Sequence, residues 1–255
     1  MLLTVTKKVT LARWYQIGEG LELPSVTSVL EVKSKGPGLL KWACNVGYEA
    51  SQQAMREGGV RGTYVHNFIS SCISAKQIQD VPADCPEPYL GYVSSARKAL
   101  EALGCCAGES RRWSEHQVTS LRYGYAGTLD YCGYIGDDDE PTIVDWKTST
   151  QLYDEHKLQT AAYCIAFGES TGTDVSRRSI ILLGKDGDYA QKVLPTGDLT
   201  SDFEGFRGAL ELFKWDQRKR YRETSPIKPP SKPKRGKRED ANSREAGHQD
   251  VQAGA

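Results

Sequence analysis

The chain lacks several features that would place it quickly. It has no apolar run near the roughly 18–20 residues that cross a bilayer, which argues against a transmembrane helix and a membrane partner. None of its seven cysteines (Cys44, Cys72, Cys85, Cys105, Cys106, Cys132 and Cys164) forms a C-x-x-C pair, and their number is odd. A zinc ribbon and a disulfide framework are therefore disfavoured, and reduced thiols are expected. Neither charge is in excess, since 33 Lys plus Arg balance 33 Asp plus Glu. No repeat is present. Lys7 and Lys8 follow a short apolar stretch, the reverse of the order in a secretory signal, so a cytoplasmic protein is expected. What is there, 38% hydrophobic and 26% charged residues over 255 positions, is the mix of a folded chain.

The even charge hides a split. Residues 217–238 carry ten Lys or Arg and one acid, a net of +9, and residues 239–255 carry one Arg and four acids, a net of −3. The remainder, 1–216, has 22 bases and 28 acids, a net of −6. A mildly acidic body with a basic tail suits a polyanion partner for the tail, or a solvated terminus that binds nothing. Pro226, Pro229, Pro230 and Pro233 stand among the lysines of this segment. The composition predicts a disordered tail over 222–255, basic and then mildly acidic.

Hydrophobic periodicity predicts an extended stretch near Trp14 and Tyr15, a turn at Gly18–Gly20, and then Pro24-Ser25-Val26-Thr27-Ser28-Val29-Leu30. A helix is expected from Pro37 to about Arg56, ended by Gly58 and Gly59, and a second from about Arg61 to Ala75. A third runs from about Tyr89 to Leu103, closed by Gly104. Strands follow at Trp113–Leu121, Tyr125–Ile135 and Thr142–Lys147, then a helix at about Glu155–Phe167. A hairpin, Ser179–Leu183 with Tyr189–Leu194, and a helix at about Ser201–Tyr221 complete the body.

The informative chemistry lies in Gly127-Thr128-Leu129-Asp130 and Ile143-Val144-Asp145-Trp146-Lys147-Thr148-Ser149. Side chains alternate along a strand, so Asp145 and Lys147 share a face and Trp146 takes the other. A hairpin between these strands brings Asp130 beside Asp145. Adjacent carboxylates repel one another unless a cation stands between them, and hard oxygen ligands suit Mg²⁺ or Mn²⁺. A lysine beside such a cation can orient or deprotonate a water and stabilise charge on a phosphate oxygen. Asp-x-Lys alone equally describes a surface salt bridge. The surrounding set adds weight: His66 on an earlier helix, Glu115 opening the strand before Asp130, and Gln159 and Tyr163 four apart on one helix face.

In order, Gly62-Thr63-x-x-His66, Glu115 with Val118, Gly127-x-x-Asp130, Asp145-x-Lys147-Thr148-Ser149 and Gln159-x-x-x-Tyr163 resemble the PD-(D/E)XK nuclease superfamily in its RecB-like exonuclease branch. That branch includes phage exonucleases, the CRISPR-associated RecB-like exonuclease and the mitochondrial genome-maintenance exonuclease. The Pro24–Leu30 segment is similar to the opening of the phage and mitochondrial enzymes, and the resemblance spans roughly residues 23–195.

The resemblance implies an α/β restriction-endonuclease-like core, a mixed central sheet flanked by helices with N-terminal helical additions. The nuclease domain would be 1–221, with a helical part at about 37–103 and a catalytic sheet core at about 110–195. His66, Asp130 and Asp145 match metal ligands, with the Trp146 backbone carbonyl as a further one, and Lys147 matches the catalytic lysine. Glu115 matches an acidic position near the metal, acting through water. Gln159 and Tyr163 match a motif that supports the site and contacts DNA, although Tyr163 also reads as core packing. Ser25, Thr27 and Ser28 match contacts to a single strand's phosphates, or else a turn and helix cap.

The implied activity is a Mg²⁺- or Mn²⁺-dependent DNA exonuclease leaving 5′-phosphate and 3′-hydroxyl ends. Its DNA would be single-stranded or carry a free end, and it would act in phage or cellular recombination, replication or repair. A recombinase or single-strand-binding partner, and the host cytoplasm for a phage protein, go with that expectation. A structure-specific endonuclease and a catalytically silent DNA-binding recombination partner are the alternatives on the same fold. Relatives with an iron–sulfur cluster place three cysteines after the Gln motif. Here only Cys164 follows Gln159, so no cluster is expected.

Overall fold

The computed structural model describes residues 12–33, 37–106, 112–136 and 138–217. The expected tail at 222–255 and the Lys7–Lys8 stretch lie outside the described residues. The chain enters as a hairpin of β1 (Trp14–Ile17) and β2 (Leu21–Pro24). A short helix, α1 (Val26–Leu30), follows, capped by Ser25, whose Oγ accepts from Ser28 N–H at 3.0 Å.

The next helical break is not where the sequence predicts it. α2 (Pro37–Val46) ends at Gly47, and α3 (Tyr48–Ala75) then runs 28 residues straight through Gly58 and Gly59. Gly47 sits at φ +89°, an angle that side-chain-bearing residues rarely adopt, so the chain turns there. The two later glycines each cost about 1 kcal/mol relative to alanine. Burial of Val65, Phe68, Ile69, Cys72 and Ile73 further along the helix outweighs that cost. α4 (Leu90–Leu103) is closed by Gly104, as expected.

The sheet has the order β3 (Arg112–Ser120), β4 (Tyr125–Gly133), β5 (Thr142–Lys147), β6 (Arg177–Leu183), β7 (Tyr189–Leu194). β5 and β6 are parallel and the other pairs antiparallel. A parallel pair needs a crossover, and α5 (Asp154–Thr171) supplies it before α6 (Leu199–Asp216) packs alongside. The fold class is thus α/β, with a mixed central sheet flanked by helices.

Each face of the sheet buries its own apolar layer. Val65, Ile69, Ala96 and Leu100 of α3 and α4 cover Tyr131, Val144, Trp146 and Ile181. Ala162, Phe167, Phe206 and Leu210 of α5 and α6 cover Val118, Leu129, Cys132 and Ile143. The seven cysteines are free thiols, five of them buried. Among the described residues no helix is long and apolar enough to cross a membrane.

Candidate metal centre

The site forms where β4 and β5 part. Their ladder pairs Gly133↔Thr142, Cys132↔Ile143 and Tyr131↔Val144 and goes no further. One more step in that register sets Asp130 opposite Asp145, as the hairpin reading expects. Here Asp130 turns Oδ2 onto the Trp146 backbone N–H at 2.9 Å. A carboxylate thus satisfies a donor that a continued strand would have paired.

A second irregularity lies on the β3 side of Asp130. β3 and β4 pair at Ser114↔Tyr131 and at His116↔Leu129, but not at Glu115 and Asp130 between them. Glu115 has φ +48°, a strained angle for a residue with a Cβ. The pleat loses its phase there. Trp113 and His116, three apart, both pack against Phe167 of α5, while Ser114 Oγ reaches Ser70 Oγ of α3. On β4, Leu129 and Cys132 are also three apart and share one apolar cluster. The two acids at the discontinuity escape strict alternation, and their carboxylates meet His66 of α3.

His66 Nδ1 lies 3.5 Å from Asp130 Oδ1 and 3.8 Å from Glu115 Oε1. His66 Nε2 lies 2.9 Å from the Trp146 carbonyl oxygen. A carbonyl only accepts, so Nε2 carries a proton and Nδ1 is the atom offered to the carboxylates. Burial opposes a charged ring, but Asp130 and then Glu115 outweigh it and raise His66 to about 10. The potential ligand atoms of His66, Glu115 and Asp130 lie within 4.8 Å of one another. An imidazole whose other nitrogen donates to a backbone carbonyl is oriented as metal-ligating histidines are. One nitrogen and two carboxylates fit a divalent cation.

Asp145 and Lys147 stand next to this group. Lys147 Nζ is 2.6 Å from Asp145 Oδ2, off hydrogen-bonding geometry, and Asp145 Oδ1 has no hydrogen-bond partner. Asp145 is nonetheless only 1% exposed. A buried carboxylate oxygen without a donor is costly, and a nearby cation relieves that cost. Burial pushes Asp145 up to about 6 against the pull of Lys147. Burial would lower Lys147, but Asp145 and Asp130 hold it above its ordinary value. For Asp130, burial works upward, yet His66 and Lys147 keep it below its ordinary value.

The expected site residues are therefore sorted. His66, Asp130 and Glu115 come together directly, so Glu115, expected to act through water, is itself within reach of the shared point. Asp145 stands with Lys147. The Trp146 carbonyl, expected as a ligand, accepts from His66. Gln159 Nε2 donates to Tyr163 Oη at 3.2 Å, and both residues are buried. Burial, with both aspartates, holds the Tyr163 phenol well above its usual value. The Tyr163 ring also explains the glycine of Gly127-x-x-Asp130, because a Cβ at Gly127 would stand 2.6 Å from Tyr163 Cε1. Ser25 caps α1 and also borders the cavity over the cluster, while buried Ser28 Oγ accepts from Arg13 N–H at 2.7 Å. Thr27 is exposed.

A cavity of about 570 Å³ opens over the cluster, walled by His66, Glu115, Asp130, Lys147 and Tyr163. Gly62 and Thr63 of the His66 motif also border it, as do Arg13, Gly59 and Asn67, which the sequence reading did not single out. The helical ones had a signal, since Gly59, Gly62, Thr63, His66 and Asn67 recur at the spacing of one helix face. Arg13 had none, because only the packing of the first hairpin on β4 brings it there.

No protein-family model matches the chain, and no curated protein matches it. A solved structure described as the crystal structure of SSO0001 is similar at 13% identity over 71% of this chain and 82% of that one, with a TM-score of 0.29. The functional reading therefore rests on the residues themselves.

Proposed function

We propose that the chain is a divalent-metal-dependent deoxyribonuclease of the PD-(D/E)XK type, an exonuclease on DNA with a free end that leaves 5′-phosphate and 3′-hydroxyl products. One observation carries the reading: a cation-fitting group, His66, Glu115 and Asp130, shares an open cavity with Lys147, itself held against buried Asp145. A surface Asp-x-Lys pair would have neither feature.

A Mg²⁺ or Mn²⁺ ion held by His66, Glu115 and Asp130, with Asp145 adjacent, would supply Lewis acidity toward a phosphodiester oxygen. The chain's own residues do the rest. Lys147, kept protonated by Asp145 and Asp130, offers N–H donors to a phosphate oxygen or to the attacking water. Asp145, raised to about 6, anchors that ammonium and stands ready to share a proton with it. His66 is fixed by the Trp146 carbonyl, so Nδ1 keeps its aim. Gln159 and Tyr163 border the same cavity as a hydrogen-bonded pair, which fixes both side chains beside the carboxylates.

Lys147→Ala tests the reading. On end-labelled DNA with Mn²⁺ it is expected to lose about a hundredfold to a thousandfold in rate, on the order of 3–4 kcal/mol. The fold should survive, because Asp145 can take up a proton when its partner is gone. Near wild-type activity in the folded variant, or wild-type cleavage that persists in EDTA, overturns the proposal.

A further inference from the structure

We propose that a second cavity beside the metal centre is a subsite for one unpaired nucleobase, so that the strand is single-stranded at that nucleotide. This rests on the nuclease reading above and adds the state of the substrate's bases. The cavity measures about 440 Å³ and lies between α1, α2, α3 and the start of α5. Thr27 and Gln159 wall both cavities. The two cavities therefore adjoin at these side chains, and Lys147 borders the first of them.

The lining decides which part of the nucleotide enters. Leu30, Leu39, Met55 and Tyr153 supply apolar walls. Leu39, Met55 and Tyr153 are 37%, 41% and 43% exposed, and they converge on one concavity from α2, α3 and the residue that caps α5. Single exposed apolar residues are ordinary, whereas a convergent set in a cavity marks a binding surface.

The charge excludes a second phosphate. Glu31 and Glu155 face the cavity against Lys33, whose ammonium is already paired to Asp154 at 3.8 Å and Glu155 at 3.3 Å. His156, on the same wall, is lowered to about 4 by burial and by Lys147, so it adds no positive charge at neutral pH. An uncharged flat ring with apolar faces and a polar edge fits this lining, with the Thr27 hydroxyl and the Gln159 amide at the junction for that edge. A base held in a duplex presents neither free faces nor a free edge, and it enters a concavity between side chains only after leaving its pair.

The test uses full-length protein in EDTA, titrated with a fluorescent oligothymidylate carrying one abasic site at successive positions from its end. One position is expected to weaken binding about fivefold to 150-fold, the range for a base stacked on an aromatic side chain, with its neighbours little affected. Met55→Ala and Tyr153→Ala, both at exposed side chains, should each shrink that penalty at that position alone. A penalty equal at all positions, or unchanged in both variants, overturns the subsite. Cleavage of the unmodified strand with Mn²⁺ separates the two readings. Lys147-dependent cleavage without a position-specific penalty overturns the base subsite only. Absence of both binding and cleavage overturns the nuclease reading and the subsite with it.

Discussion

Two ion pairs on neighbouring strands are buried in opposite ways. On β6, Arg178 is 0% exposed and lies 2.8 Å from Asp202, which is 16% exposed. Its guanidinium also donates to the Lys157 and Pro195 carbonyls, at 3.1 Å and 3.5 Å. On β5, Lys147 meets Asp145 at 2.6 Å, but among the described residues no backbone carbonyl joins the pair and Asp145 Oδ1 is left without a donor. The first pair ties α5 and the end of β7 to the sheet through both terminal nitrogens of Arg178, while its Nε has no partner among the described residues. The second is incomplete and opens onto a cavity. The difference lies in what surrounds each cation: backbone carbonyls hold Arg178 within the fold, whereas Lys147 borders a cavity.

The largest expected effect breaks the first pair. Arg178→Met should cost about 3–5 kcal/mol of unfolding free energy, because it leaves the largely buried Asp202 carboxylate without its cation. In folded protein it should leave metal-dependent cleavage almost unchanged. Urea titration measures the first quantity and initial rates the second; a loss below about 1 kcal/mol would show that the two pairs are alike.

Asp145→Asn reverses the balance. Its activity should fall at least a hundredfold, while its melting temperature in EDTA should match or exceed wild type, since the buried like charge facing Asp130 is removed. A large thermal loss would mean that Asp145 is a structural partner of the same kind as Asp202.

The smallest effect concerns how far each cation's field reaches. His156 is held at about 4 by burial first and then by Lys147. The unfolded chain, with its histidine near 6.5, takes up the proton first as pH falls. The stability tied to neutral His156 is thus full above about pH 6.5 and lost toward pH 4. His156→Gln should flatten that limb of the stability–pH curve. Lys147→Ala should move the His156 titration part of the way back toward 6.5, and Arg178→Met should leave it in place; NMR titration of the ring reads both.

Much of this was legible in the chain. The bounds of β5 follow from Ile143, Val144 and Trp146 between turn residues, and Gly104 closes α4 because a left-handed residue there needs no Cβ. The neighbourhood of Asp130 and Asp145 follows from hairpin connectivity. Gly58 and Gly59 misled because glycine weakens a helix without forbidding it, and the compensating burial lies elsewhere on α3. The direct approach of Glu115 to His66 depends on a φ of +48° that no local residue preference announces. Arg178 reads as an ordinary strand-end base until α6 brings Asp202 against it.

The Trp146 amide has a consequence of its own. Its hydrogen is held by the Asp130 side chain and not by a strand partner. Its exchange with solvent deuterium is therefore tied to one carboxylate, while the amides of the zipped half of the same hairpin are tied to the opening of the sheet. Whatever draws on Asp130 loosens or tightens that single bond. The chain thus carries an isotopic probe inside its own backbone, readable residue by residue without any label at the site.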